Sequence, residues 1–193
     1  MSIVANYARL TPSQVVELSG RAVADPNSLI SSFPGAEVID VDRAWGPMAW
    51  LASSTKRLED EHNWRVMSAP DLDGAFIAAS SARLDATPVD LPLVAIEGRS
   101  EKSIEAIDSG MGPAAMFDPA QVQELSSALH TLQDSDLRNA LDPERMDEMQ
   151  VFPGYWREET NLLDTYILPN LRRLREFYAT AASSGQAVIV WYT

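Results

Sequence analysis

Residues 10–19 read L-T-P-S-Q-V-V-E-L-S, and residues 117–126 read F-D-P-A-Q-V-Q-E-L-S. Six of the ten positions, Pro, Gln, Val, Glu, Leu and Ser, are identical and in the same order. Each copy follows a short strand-like run. Each sets Thr11 or Asp118 ahead of Pro12 or Pro119, an N-cap residue followed by proline at the first helical position, where the missing N–H of proline costs nothing. The repeat therefore predicts two strand-to-helix corners. It contains no reactive grouping, so it speaks for architecture and not for chemistry.

Around these corners, residues 2–10 (S-I-V-A-N-Y-A-R-L) alternate weakly and predict a strand, as do residues 114–117. The closing A-V-I-V-W-Y at 187–192 is apolar on both faces, which places it centrally in a sheet. Helices are predicted at 12–23, with Val15, Val16, Leu18 and Val23 apolar, and from 119 to about 132, with Val122, Leu125, Leu129 and Leu132 at helical spacing. Asp25-Pro26, Asp134, Asp136 and Asp142-Pro143 open shorter helices. A helical region spans about 158–184, kinked or broken at Pro169. Leu171, Leu174, Phe177, Tyr178 and Ala181 form its apolar side, Arg172, Arg173 and Arg175 face water, and Gly185 suits the C-terminal cap.

Other stretches are less decided. In 36–54 (A-E-V-I-D-V-D-R-A-W-G-P-M-A-W-L-A-S-S), Asp40 or Asp42 is placed to cap a helix carrying Ala44, Trp45, Met48, Trp50 and Leu51. Proline inside a helix costs about 3 kcal/mol outside the first turn, so this helix is expected to kink at Pro47 or to start beside it. Residues 55–92 combine a solvated charge run, K-R-L-E-D-E-H, with turn-rich segments, and predict a long loop, an inserted hairpin or disorder. Residues 91–97 fit a short buried helix or a strand, and 100–107 suggest a helical turn. Three strands and a larger number of irregularly interleaved helices predict an α+β fold: a small, mostly antiparallel sheet including the N- and C-terminal strands, covered by several helices. Residues 1–193 make one domain, with about 55–90 as a loop-rich insertion.

Composition narrows the function classes. The net charge is −13 over 193 residues, which argues against nucleic acid and favours a basic or neutral protein partner. Cysteine is absent, so disulfides, thiolate catalysis and zinc–sulfur sites are excluded. The two histidines, His62 and His130, have no metal-ligand spacing; His130 is expected half-buried beside a helix stripe, His62 exposed. No apolar run approaches the roughly 18 residues that span a bilayer, and the N-terminus lacks signal-peptide features. A cytoplasmic protein is expected.

Several segments together resemble a known family: L-T-P and its helix at 10–19, V-I-D-V-D-R-A-W at 38–45, G-M-G-P-A-A-M-F-D-P-A-Q-V at 110–122, L-D-P-E-R-M-D-E-M-Q-V-F-P-G-Y-W at 141–156, and the terminal V-I-V-W. They are similar to the YfbM-like family of bacterial proteins, over most of the chain except about 55–90. The resemblance implies an α+β fold and brings no reaction. The family pattern after the tryptophan often reads W-H-x-[IL]-H; here Gly46 and Ala49 stand at the two histidine positions.

The candidate chemistry is sparse. Asp40 and Asp42, two residues apart, point to opposite sides of a strand or about 200° apart on a helix, poor geometry for a shared carboxylate pair. With Arg43, Trp45 and Trp50 they form either a helix cap and salt bridge or a polar mouth for a small or peptidic ligand. Asp71-Leu72-Asp73-Gly74 begins like a calcium loop but lacks the later ligands. Gly110-Met111-Gly112-Pro113 lacks the lysine of a phosphate loop, and Pro113 removes a needed N–H. Tyr155, Trp156 and Arg157, after a Pro-Gly turn, suit contact anchors or a lid over a small core. No cofactor, metal site or catalytic residue is assigned. The leading expectation is a non-enzymatic, acidic binding or interaction protein of inhibitor or immunity type. The alternative is an enzyme or small-ligand sensor with a pocket around Asp40, Asp42, Arg43, Trp45 and Trp50.

Overall fold

The C-terminal strand sits at the centre of the sheet. A computed structural model of the chain describes residues 3–20, 26–68, 88–108 and 110–193. Among them, β1 (Ala5–Leu10), β2 (Glu37–Asp40), β3 (Ser103–Asp108), β4 (Pro113–Phe117) and β5 (Ala187–Tyr192) form a five-stranded sheet in the order β2-β1-β5-β4-β3. Every pairing is antiparallel. Both faces of β5 are buried, as its unbroken apolar sequence requires: Ala187, Ile189 and Trp191 pack on one side, Val188 and Val190 on the other. The fold is α+β.

One face is covered by α1 (Pro12–Ser19) and α2 (Pro26–Ser31), which lay Val15, Leu18 and Ile30 on Ala8, Leu10, Ile189 and Trp191. The other carries the larger core. There α3 (Trp45–Ala52), α5 (Leu91–Glu97), α6 (Pro119–Thr131) and α9 (Leu168–Ser183) pack over Tyr7, Phe117, Val188 and Val190. The helices α4 (Ser54–Ser68), α7 (Asp134–Ala140) and α8 (Pro143–Glu148) border this layer. Each large apolar side chain so buried contributes about 1.5–3 kcal/mol.

Both repeated corners form as the sequence dictates. Thr11 and Asp118 cap α1 and α6, each in a reciprocal capping box with the glutamine three residues on, Gln14 and Gln121. A π-helical turn, Leu163–Ile167, precedes α9, with the Leu168 N–H reaching back to the Leu163 carbonyl. The widened turn accommodates Pro169, whose ring would clash with the carbonyl four residues back in a regular α-helix. At the far end Gly185, with φ +61°, closes α9; its N–H and that of Gln186 donate to the carbonyls of Ala182 and Ala181.

The C-terminus of α5 is closed by Gly98 (φ 61°) and by three tyrosines. Tyr178 donates to the carbonyl of Ala95 at 3.1 Å, Tyr7 to that of Ile96, and Tyr192 to that of Glu97 at 2.9 Å. These are among the last carbonyls of the helix, which lack intrahelical partners.

Four expectations are corrected. Residues 54–68 form helix α4 and not a loop; the Ser53 hydroxyl accepts from the Lys56 N–H at 2.9 Å, and Lys56 pairs with Asp60 one turn on. Residues 103–108 form β3 and not a helical turn. A register shift between Ile104 and Asp108 puts Ile104 and Ile107, three apart, on the same face of the sheet, so a bulge counterfeits helical spacing. Residues 37–40 add the edge strand β2. Neither Asp40 nor Asp42 caps α3, whose N-cap position is Ala44; Gly46 and Pro47 fall in its first turn. Residues 91–97 are a helix, capped by Asp90 and ended by Gly98. The expected continuation of the first helix through Val23 and the acidic stretch Asp71-Leu72-Asp73-Gly74 lie outside the described residues.

Candidate functional site

A cavity of about 520 Å³ opens between the start of α3, one side of α4 and the loop after α8. Ile3, Trp45, Trp64, Met67, Met149, Val151 and Phe152 make its apolar wall; Arg43, Lys56, Asp60, Asn63 and Gln150 supply polar groups. Gly46 also lines it, and a Cβ there would meet nothing within 4 Å, so the glycine leaves space open.

Each wall is locally fixed. Trp45, the first residue of α3, donates its indole N–H to the Ile3 carbonyl at 3.1 Å and packs edge-to-face on Tyr192, with ring centroids 5.1 Å apart. The loop 149–152 leaves α8 through Gln150, at φ 53°, a left-handed conformation that non-glycine residues seldom adopt. The Val151 N–H closes the turn on the Met146 carbonyl. Trp156 holds this loop from the core side: its indole N–H donates to the Val151 carbonyl at 2.9 Å and its main-chain N–H to Asp147 at 2.6 Å.

Arg43 is placed by a second left-handed residue, Asp42 (φ 49°). Tyr166, from the π-helical turn, donates to the Asp42 carboxylate at 2.7 Å and accepts from the Arg43 main-chain N–H at 3.2 Å. Burial, reinforced by the Asp42 charge, holds the Tyr166 hydroxyl well above the usual phenol range, so it stays a donor. The Arg43 guanidinium lies 4.9 Å from the centroid of Phe152. Most arginines here are engaged elsewhere. Arg9, Arg99, Arg138, Arg145, Arg157, Arg172 and Arg175 hold carboxylates, while Arg57 and Arg173 hold main-chain carbonyls. Among the described residues no carboxylate pairs with Arg43.

The charged floor belongs to a larger ion cluster. Lys56 lies 2.8 Å from Asp60 and 3.3 Å from Glu97, and Arg99 bridges Glu97 and Glu59 at 2.6 and 2.5 Å. Burial raises the Asp60 carboxyl, against the opposing hydrogen bond from Lys56. Burial opposes the Lys56 ammonium, but Asp60 and Glu97 outweigh it and raise its pKa. Glu59, at the other end of the cluster, is held below the usual carboxylate range by its hydrogen bond from Arg99.

The predicted residues divide. Arg43 and Trp45 line the cavity; Asp42 braces Arg43 from behind; Asp40 is exposed and accepts from the Asp42 N–H at 3.2 Å. Trp50 is 2% exposed in the core with Arg57 over its ring, so the five residues do not share one pocket. Trp156, also 2% exposed, is a core residue and not a surface anchor, because its ring is needed under the 149–152 loop. Tyr155 is exposed and Arg157 pairs with Asp147 at 3.0 Å. His130 is exposed, not half-buried, with Nδ1 2.9 Å from the Ser126 carbonyl; His62 is partly buried, not exposed. Arg175 does not face water: its side chain is 15% exposed and donates to the carbonyls of Leu129 and Leu132. No group of three or more His, Asp or Glu among the described residues is arranged to hold a metal ion. Lys56, Asp60, Asn63, Trp64 and Met67 were missed with α4; the N-cap Ser53 and the Lys56–Asp60 spacing were the available signals.

A central antiparallel sheet with helices on both faces and an aromatic cavity at one edge defines a protein of α+β class. The chain belongs to the family described as a domain of unknown function, DUF1877, which matches residues 1–191. The resemblance read from its motifs holds: the structure is similar to that of a protein of unknown function, YfbM from Escherichia coli, with a TM-score of 0.61 and 16% identity, over 97% of this chain and 98% of that one. No curated protein matches the chain. At that identity the likeness speaks for the fold alone.

Proposed function

We propose that the protein is a non-enzymatic binding protein whose site is the cavity between Arg43, Trp45, Trp64 and Phe152, and that it captures or senses a small ligand. The observation that carries this reading is the cavity itself. Its volume, about 520 Å³, falls in the range of small-molecule sites, and its wall combines three aromatic rings with a few polar groups. The raised proton affinity of Asp60 does not require a catalytic role. Its carboxylate is tied to Lys56 within an ion cluster that also joins α4 to the end of α5, and structural networks perturb carboxylates in the same way. No helix among the described residues is long and apolar enough to cross a membrane.

The test is a titration of the full chain with a panel of small aromatic compounds, followed by the indole N–H resonances of Trp45 and Trp64. Saturable shifts at both are expected in the unaltered protein, and the Trp45 shift should be lost in Trp64→Ala. A panel in which no compound moves either resonance would overturn the reading. The net charge of −13 supports a second reading, an acidic surface that covers a basic protein. That reading expects a salt-sensitive complex whose formation leaves the same resonances in place.

A further inference from the structure

Resting on the small-ligand reading, we infer that the cavity selects a compound carrying a carboxylate on an aromatic body, and that Arg43 reads the carboxylate. Arg43 stands apart from the arginines named above. Its guanidinium lines a cavity, no carboxylate among the described residues pairs with it, and it is held over the ring of Phe152. In a chain of net charge −13 such a cation has many intramolecular acids available and takes none among the described residues. A guanidinium lying along an aromatic face keeps its N–H edge for a planar, two-oxygen partner.

The other charges in the wall are committed. Lys56 binds Asp60 at 2.8 Å and Glu97 at 3.3 Å, which leaves Arg43 as the uncompensated charge of the lining. One free cation matches a monoanion. A phosphate would bring a second negative charge toward Asp60 with nothing to meet it. The body of the ligand is set by Trp45, Trp64 and Phe152, whose rings favour a flat apolar partner, and by Met149, which adapts to its outline.

Arg43 is also held in advance. The bond from its main-chain N–H to Tyr166, itself anchored on Asp42, orders the backbone before a ligand arrives, so little ordering remains at the moment of binding. Asp42 and Tyr166 are thus positioning residues for the group that reads the ligand.

The experiment uses three probes with one ring system: indole-3-acetate, its neutral analogue tryptophol and the cationic tryptamine. Each is titrated calorimetrically into the full chain and into Arg43→Gln and Arg43→Lys, with melting temperatures taken to check folding. Indole-3-acetate is expected to bind the unaltered protein at least about tenfold more tightly than tryptophol, with tryptamine weakest. Arg43→Gln should erase that preference while leaving tryptophol binding within about twofold, and Arg43→Lys should retain part of it. Equal binding of tryptophol and indole-3-acetate, or a preference that survives Arg43→Gln, would overturn the inference and leave the small-ligand reading standing. Failure of all three probes to bind would overturn the inference as well, and the small-ligand reading would then be decided by the wider aromatic panel.

Discussion

The buried hydroxyl of Tyr7, on β1, donates to the main-chain carbonyl of Ile96, at the C-terminal end of α5. With Tyr178 and Tyr192 on the neighbouring carbonyls, it gives a short helix an end whose carbonyls are met by side chains from the sheet and from α9. Burial holds the Tyr7 hydroxyl above the ordinary phenol range, so it remains a donor at any pH where the protein is studied. Tyr7→Phe would leave the carbonyl unpaired in the core. The expected loss is about 1–3 kcal/mol, read as a lower urea midpoint with an unchanged slope.

Gly98 ends the same helix, and its environment separates it from Gly46. At Gly98, with φ +61°, a Cβ would lie 2.8 Å from two side-chain carbons of Val190. Gly98→Ala is expected to cost about 2–4 kcal/mol, from left-handed strain and overpacking together. At Gly46, in the first turn of α3, the same methyl group meets nothing within 4 Å. Gly46→Ala should therefore keep or slightly raise the melting temperature, yet narrow the cavity and weaken whatever aromatic compound binds there. A stable variant with unaltered ligand affinity would show that the cavity wall at this point touches no ligand.

Trp156 and Tyr155 are neighbours in sequence with opposite fates. Trp156→Ala removes a ring that is 2% exposed and one of the two donors to the Val151 carbonyl, the Gly154 N–H remaining, so a loss of about 3–5 kcal/mol, mostly from the cavity, is expected. Tyr155 is 45% exposed, and Tyr155→Ala should shift stability by no more than about 0.5 kcal/mol. Thermal melts of the pair decide it; equal shifts would contradict the packing described.

Asp134 links α7 to α9. Arg172, and after it Arg175, hold its carboxyl below the ordinary value of 3.8. A depressed carboxyl favours the folded state only when ionised. Its contribution is therefore complete above the unfolded value and fades as pH falls through the folded one. Asp134→Asn should lower the melting temperature near neutral pH by a few degrees, on the order of 1 kcal/mol given the partial exposure of the pair. The gap between the two proteins should close as the pH is taken below 3.8. A gap that stays constant with pH would assign the effect to packing.

The elements that were legible are those whose signals sit within a few residues of one another. Thr11-Pro12 and Asp118-Pro119 announce their helices through cap and proline chemistry alone, and Gly185 announces the end of α9. The even burial of β5 follows from a run with no polar face. The segment 54–68 was obscured because its polarity is balanced by partners far away: Glu59 meets Arg99 and Lys56 meets Glu97. Seen alone, such a run is a solvated charge block; paired, it forms a helix against the domain. Ile104 and Ile107 misled for a different reason, since a bulge changes the period of a strand without changing its composition.

The candidate site was half legible. Arg43 and Trp45 stand out as an arginine and a ring beside an acidic turn, but Trp64, Met149 and Phe152 join them only in space. By itself the sequence determined the family, the two corners, the helix ends and the central strand, because caps, prolines and apolar runs act over one or two turns. The tertiary structure decided the cavity, the bracing of Arg43 by Tyr166 and the burial of Trp156. The first two depend on residues far apart in sequence, Ile3 with Trp45 and Arg43 with Tyr166, and the third on a loop folding back over its own ring; packing brings these together, which local propensity does not encode.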